Sequence, residues 1–269
     1  ELGPLPDMVE RAADGIERTC PIQAQTLPLA LAGQDIIGQA KTGTGKTLGF
    51  GVPLIQRIHN PNDGEVSGNP QALIVVPTRE LAIQVGKDLE KAGRNLGIRV
   101  LTIYGGRAYE PQIEALNNGI EIAVGTPGRV IDLVGQRHLD LSQVSVLVLD
   151  EADEMLDMGF LPDVEKIVDK VPTERQTMLF SATMPGQIVA LARRYMNKPM
   201  HIRAADAGDE SATVDAIEQH VWRCHPMDKM EIVARVLQAK DRGLTMIFTR
   251  TKRRAQRIAD ELNERGFAA

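Results

Sequence analysis

The sequence predicts an α/β fold, a doubly wound parallel sheet with helices on both faces, followed by the start of a second unit of the same kind. Three observations carry this. Short runs rich in Val, Ile and Leu recur along the chain. Stretches with apolar residues at helical spacing separate most of them. The unusual polar residues fall directly after the apolar runs, where an open α/β sheet binds its ligands.

The apolar runs, in order, are DIIGQA, ALIVVP, RVLTIYGG, EIAVGTP, SVLVLDEAD and QTMLFSAT. Each is apolar on both faces over a strand's length, which suits a buried parallel strand. Between the second and third lies TRELAIQVGKDLEKAGRNLG, with helical apolar spacing. Residues 59–70, HNPNDGEVSGNP, consist largely of turn formers and predict a loop. Residues 203–216, RAADAGDESATVDA, are polar and acidic and read as an interdomain linker. Beyond them, IEQHVWRC, MDKMEIVARVLQAKDRG and LTMIFTR predict strand, helix, strand. The expected division is a first domain over 1–205, a linker over 206–214 and an incomplete second domain over 215–269.

Composition narrows the function classes. The chain has 269 residues, 43% hydrophobic and 25% charged, as a globular protein does. No apolar run approaches the roughly 18 residues of a membrane span, and the start shows no signal-peptide pattern. The net charge of -5 argues against a surface coated for nucleic acid, though not against a local phosphate-binding groove. Aromatics at 3% argue against base stacking on aromatic platforms. Cys20 and Cys224 lie far apart without metal-ligand spacing, so free thiols in a reducing cytoplasm are expected.

AKTGTGKT, residues 40–47, follows the first apolar run. The general phosphate-loop pattern is G-x-x-x-x-G-K-[ST], and Ala40 holds its first glycine position. Gly43 and Gly45 let the backbone curl so that N–H groups face phosphate oxygens. Lys46 reaches the outer phosphates and Thr47 offers a hydroxyl to magnesium. The helix beginning there aims its positive end at the same place. SVLVLDEAD then supplies the acids. Asp150 fits a magnesium ligand, and Glu151 fits a group that orients and deprotonates water. Taken alone, such an acid cluster is more often a helix cap, and SAT (181–183) is only a turn.

At DEAD (150–153) the sequence resembles the DEAD-box ATP-dependent RNA helicases, from about residue 2 to its end. GIERTCPIQ (15–23) resembles their adenine-reading Q motif. AKTGTGKT is similar to their phosphate loop, in which alanine is the expected first residue. PTRELA (77–82), GG (105–106) and TPGR (126–129) resemble their RNA motifs, SAT their coupling motif, and MIFTRTK (246–252) the first motif of their second domain. The resemblance implies RecA-like domains, ATP and Mg2+ as ligands, RNA as partner, and a bacterial, cytoplasmic protein without membrane contact. Gln23 would read adenine. Ala40, Lys41, Thr42, Gly43, Thr44, Gly45, Lys46 and Thr47 would hold the nucleotide. Thr47 and Asp150 would hold magnesium, and Glu151, Lys46 and Asp150 would carry the catalysis. Asp153, Ser181 and Thr183 would couple hydrolysis to RNA. Pro77, Thr78, Arg79, Gly105, Gly106, Thr126, Pro127, Gly128 and Arg129 would line an RNA-backbone path, largely blind to sequence. Read outside the family, Thr126 and Pro127 could simply start a helix and Arg79 could be a solvated charge.

The sequence departs from the family's pattern in places. Thr19 stands where the Q motif has proline. No H-R-x-G-R-x-G-R stretch is present, and its arginines are those that would stabilise charge on the γ-phosphate. Such an arginine is worth about 10³–10⁵ in rate in related enzymes, so this chain alone is expected to bind nucleotide but hydrolyse it poorly. Two other function classes remain open. One is a different phosphate-loop enzyme, such as a DNA translocase or small-molecule kinase. The other is a non-enzymatic RNA clamp or subunit in a ribosome-assembly or RNA-decay complex.

Overall fold

A computed structural model of the chain describes residues 19–40, 43–58, 67–203, 220–225, 227–240 and 243–269. Expectations for residues 15–18, Lys41, Thr42, the loop over 59–66 and the linker over 206–214 lie outside the described residues. The chain divides into two compact units, Glu1–Gly208 and Asp209–Ala269.

The first unit is built on one sheet. Its strands are β1 (Ile36–Gln39), β2 (Ala72–Val75), β3 (Val100–Ile103), β4 (Ile122–Gly125), β5 (Val146–Leu149), β6 (Gln176–Ser181) and β7 (Met200–Arg203). They lie in the order β3-β4-β2-β5-β6-β1-β7, and the pairings are parallel. β2, β4, β5 and β6 are buried along their whole length, which is why their sequences are continuous apolar runs. Successive residues feed two cores. Ile36, Ile74, Val124, Val148 and Phe180 pack on one face with α1 (Pro21–Leu31), α2 (Lys46–Arg57) and α3 (Arg79–Gly93). Ile37, Leu73, Ala123, Leu147 and Leu179 pack on the other. That face is covered by α4 (Glu110–Asn117), α5 (Pro127–Gly135), α6 (Ala152–Asp157), α7 (Leu161–Val168) and α8 (Gly186–Tyr195). Each large side chain fully buried in these cores contributes about 1.5–3 kcal/mol.

β7 adds a strand that the apolar-run reading omits. Only Ile202 of its four residues is buried, so MHIR carries little apolar signal. It borders β1 at the sheet's edge, where one covered face suffices.

The connections create the site. The chain leaves β1 into α2 on one face of the sheet, and leaves β5 and β6 into α6 and α8 on the other. The loops therefore part at the carboxyl ends of these strands, and a crevice opens there. The amino ends are held differently. Glu121 is fully buried and accepts from the Arg99 backbone N–H at 2.7 Å and from its Nη2 at 2.6 Å.

The second unit carries α9 (Lys229–Leu237) and α10 (Lys252–Glu264). Arg265, just past α10, bonds Glu231 in α9 at 3.2 Å. The strands expected in IEQHVWRC and LTMIFTR are not formed over the described residues 220–225 and 243–250. No strand lies beside them among the described residues, and an unpaired strand has no ladder to stabilise it. Met246 and Phe248 are accordingly exposed.

Candidate functional site

The phosphate loop follows β1. Ala40 is buried, and its N–H donates to the Ser181 carbonyl at 3.1 Å, which ties the loop's first residue to β6. Ala40 is not among the described non-glycine residues with positive φ, which are Arg137, Glu151 and Lys198. Alanine therefore serves at that position without strain. Gly43 and Gly45 do take left-handed backbone, φ 82° and 80°, which glycine adopts at no steric cost. Gly45 is the N-cap of α2, so that helix's free N–H groups face the crevice. Thr44 and Thr47 are half-buried beside it.

Lys46 opens α2 and is only 6% exposed. Its Nζ lies 3.6 Å from Asp150 Oδ1, close enough for charge attraction but too far for a hydrogen bond. It has no hydrogen-bond acceptor among the described residues. A buried ammonium without an acceptor is costly unless a ligand supplies one.

Asp150 and Glu151 follow β5, and both are buried. Burial pushes the Asp150 carboxyl up to about 6 against the pull of Lys46. Its Oδ1 also accepts from the Glu151 N–H at 2.9 Å. Glu151 has φ 51° and ψ 52°, a left-handed conformation that costs a non-glycine residue on the order of 1 kcal/mol. The strain lies at the residue expected to handle water. A hydrogen bond with Glu151, then partial burial and the neighbouring acidic side chains, raise the Glu154 carboxyl to about 7. The sequence reading did not single out Glu154; its place three residues past the strand-end acids was the available signal.

The next turn joins two strand ends. Asp153 Oδ2 accepts from the Thr183 N–H and hydroxyl, each at 2.8 Å. The Asp153 N–H donates to Ser181 Oγ at 3.1 Å. Burial raises the Asp153 carboxyl, but the bonds from Thr183 and Ser181 outweigh it and leave it below the ordinary range. β5 and β6 are thus locked together immediately beside the acids.

Gln23, in α1, is 4% exposed and engaged at both ends of its amide. Its Oε1 accepts from the Cys20 N–H at 3.0 Å, and its Nε2 donates to the Gly45 carbonyl at 2.9 Å. This bridge to the phosphate loop was not legible in the sequence. One N–H and one lone pair of the amide remain for another partner.

The third group lies after β2, β3 and β4. Thr78 caps α3, accepting from the Leu81 N–H at 3.3 Å, and Arg79 is exposed beyond it. Gly105, Gly106 and Gly128 are exposed, with open space where a Cβ would stand. Thr126 is the N-cap of α5. Arg129 is buried, donates from Nη2 to the Arg107 carbonyl at 3.0 Å, and has an Nη1 with no partner. Pro77 and Pro127 are buried, and Pro127 opens α5. The described site residues thus fall after six of the strands or at the N-terminus of α1, with Lys41 and Thr42 outside the described residues.

Comparisons with known proteins agree with this arrangement. The DEAD/DEAH box helicase family model matches residues 20–191. The chain is 48% identical, over all its length, to the DEAD-box ATP-dependent RNA helicase CshA of Geobacillus kaustophilus, covering 56% of that protein. It is 47% identical to the Bacillus subtilis CshA, with 95% of this chain and 50% of the relative covered. The chain thus spans about half the length of these curated relatives. The crystal structure of a DEAD box protein from the hyperthermophile Methanococcus jannaschii matches with a TM-score of 0.72 and 38% identity, covering 99% of this chain and 70% of that one. Matched through its central motifs and across its fold, the chain belongs to the DEAD/DEAH box helicase family.

Proposed function

We propose that the chain binds ATP with Mg2+ and an RNA backbone in an activity that couples ATP hydrolysis to local duplex unwinding, and that, without an H-R-x-G-R-x-G-R stretch, it hydrolyses ATP only slowly by itself. The observation that carries this is the buried Lys46 ammonium, 3.6 Å from Asp150 and without a hydrogen-bond acceptor among the described residues. A nucleotide phosphate would supply that acceptor. The residues also fit a magnesium ion, since the buried Asp150 carboxylate lies beside the ammonium and Thr47, in the first turn of α2, brings a hydroxyl to the same loop. Thr47 and Asp150 would hold the ion. When bound it would neutralise charge on the phosphate oxygens.

The residues then divide the work. The loop over Ala40 to Thr47 cradles the phosphates, and Lys46 draws charge from the outer ones. Gln23 offers adenine its remaining N–H and lone pair while holding the loop. Glu151 orients a water and accepts its proton as the water oxygen bonds the γ-phosphorus. The bond to the β-phosphate oxygen breaks, leaving ADP and phosphate. Loss of the γ-phosphate changes the surroundings of Asp153, which is bonded to Ser181 and Thr183 on the neighbouring strand end. That link carries the change toward Arg79, Thr126 and Arg129 at the RNA path. The contacts there are to sugar and phosphate, so recognition is largely independent of sequence.

We place this activity in the cytoplasm, with domains over 1–205 and 215–269 joined by the linker over 206–214. Ribosome-assembly or RNA-decay proteins are the proposed partners. Phosphate release from ATP, with and without single-stranded RNA, tests the reading. Slow release that RNA stimulates and Glu151→Gln abolishes supports it. Release no faster than that of Glu151→Gln under both conditions overturns it.

A further inference from the structure

We infer that Tyr104 is a platform that holds the Arg79 and Arg107 guanidiniums, and that Arg107 is a further contact to the RNA backbone. The inference rests on the RNA reading above and adds two residues to it.

Tyr104 follows β3 and is 4% exposed, packed in the core that α1, α2 and α3 cover. Its ring cannot move without disturbing that core. The Arg107 guanidinium carbon lies 5.3 Å from the ring centroid, and that of Arg79 lies 6.0 Å from it. Both arginines are exposed. Arg79 has a neighbouring partner in Glu80 at 3.3 Å, a surface pair of small worth. Arg107 has no carboxylate partner among the described residues.

A second pair of the same kind stands beside the first. The Arg129 guanidinium carbon lies 3.9 Å from the Tyr109 ring centroid, and the Tyr109 hydroxyl donates to Asp132. Arg129 also bonds the Arg107 carbonyl, so the loop that carries Arg107 is anchored. Three guanidiniums and two rings therefore gather after β2, β3 and β4.

A cation–π contact leaves the useful part of a guanidinium free. The cation lies against the ring face, and its N–H donors radiate from its edge. That edge matches two oxygens of a phosphate. A free arginine side chain loses rotamer entropy when it grips a ligand, whereas one already drawn over a ring has lost part of it. Between Tyr104 and Arg107, Gly105 and Gly106 leave open space where side chains would stand. A phosphate chain can approach there closely, which favours a nucleic-acid backbone over an acidic peptide.

The test is anisotropy of a labelled single-stranded oligouridine RNA titrated with the chain across a range of salt. Arg107→Gln should weaken binding about fivefold at 0.1 M salt and flatten the log–log salt slope by about 0.7, the value for one single-strand phosphate. Tyr104→Phe keeps the ring and should bind as the unchanged chain does. Tyr104→Leu should bind about threefold more weakly with the slope retained. If Tyr104→Leu fails to fold, Arg107→Gln and Tyr104→Phe decide. Unchanged affinity and slope in Arg107→Gln, while Arg129→Gln weakens binding, overturns the inference and leaves the RNA reading standing. Absence of RNA binding by the unmutated chain overturns both.

Discussion

Gln23 Nε2 donates to the Gly45 carbonyl at 2.9 Å, tying α1 to the phosphate loop. A Cβ on Gly45 would stand 2.7 Å from that Nε2 and 2.8 Å from Cys20 Sγ, so glycine is required there by contact as well as by φ. Gln23→Ala leaves a carbonyl and the Cys20 N–H without partners, at a cost of about 1–3 kcal/mol. We expect a lower unfolding midpoint and roughly tenfold weaker nucleotide binding, because the loop loses its support. Titration with a fluorescent ATP analogue measures this; equal affinity would show that the loop holds its shape without α1.

Asp150 sets a pH dependence with two opposite signs. Its carboxyl is raised to about 6, chiefly by burial. A raised acid stabilises the fold fully below the ordinary carboxylate range, and that contribution is lost as pH rises through about 6. The amount is about 3 kcal/mol for a carboxyl raised to about 6. Magnesium binding needs the ionised form, so it runs the other way. Affinity for Mg2+ with ATP should fall about tenfold per unit below pH 6 and level off above 7. Calorimetric titrations at pH 5, 6, 7 and 8 check this, and a flat profile contradicts it.

Thr183 holds Asp153 with two bonds, one from its hydroxyl. Thr183→Val removes that hydroxyl bond, and the Asp153 carboxyl should move up toward the ordinary range. As a depressed acid, Asp153 stabilises the fold above the ordinary carboxylate range, and this is lost as pH falls through its lowered value. Carbon NMR of the carboxyl resonance follows the titration directly. RNA affinity in the variant should also respond less to ATP. An unmoved titration would show that burial and the remaining bonds alone govern Asp153.

Arg99 gives a contrasting outcome. Its pair with Glu121 lies at the amino ends of β3 and β4, remote from the loops that form the site. Arg99→Ala leaves a fully buried carboxylate without its half-exposed counter-charge, though the residue-99 N–H still donates to it, at about 1–3 kcal/mol. Chemical denaturation should show that loss, while nucleotide affinity measured well below the melting range stays unchanged. A matching loss of affinity would mean that the two ends of the sheet are coupled.

Much of the fold was legible because six strands are apolar runs that end in polar residues. β7 was not, since Ile202 alone of its four residues is buried. LTMIFTR has strand composition, but composition cannot supply a neighbouring strand. The phosphate loop, Asp150 and Glu151 were legible because their chemistry is local to each motif. The Gln23 to Gly45 bridge, the left-handed Glu151 and the arginines over the Tyr104 ring were not, because each depends on backbone or side-chain geometry absent from the letters. Asp153 with Ser181 and Thr183 lay between, paired only by the family resemblance.

The central claim is that Lys46 is buried to meet a nucleotide phosphate rather than to support the fold. Calorimetric titration of ATP with Mg2+ into the unchanged chain and into Lys46→Ala, with unfolding midpoints of both, tests it most directly. Saturable binding is expected in the unchanged chain, abolished by the substitution while the midpoint stays within a few degrees. Equal affinity in the variant would contradict it.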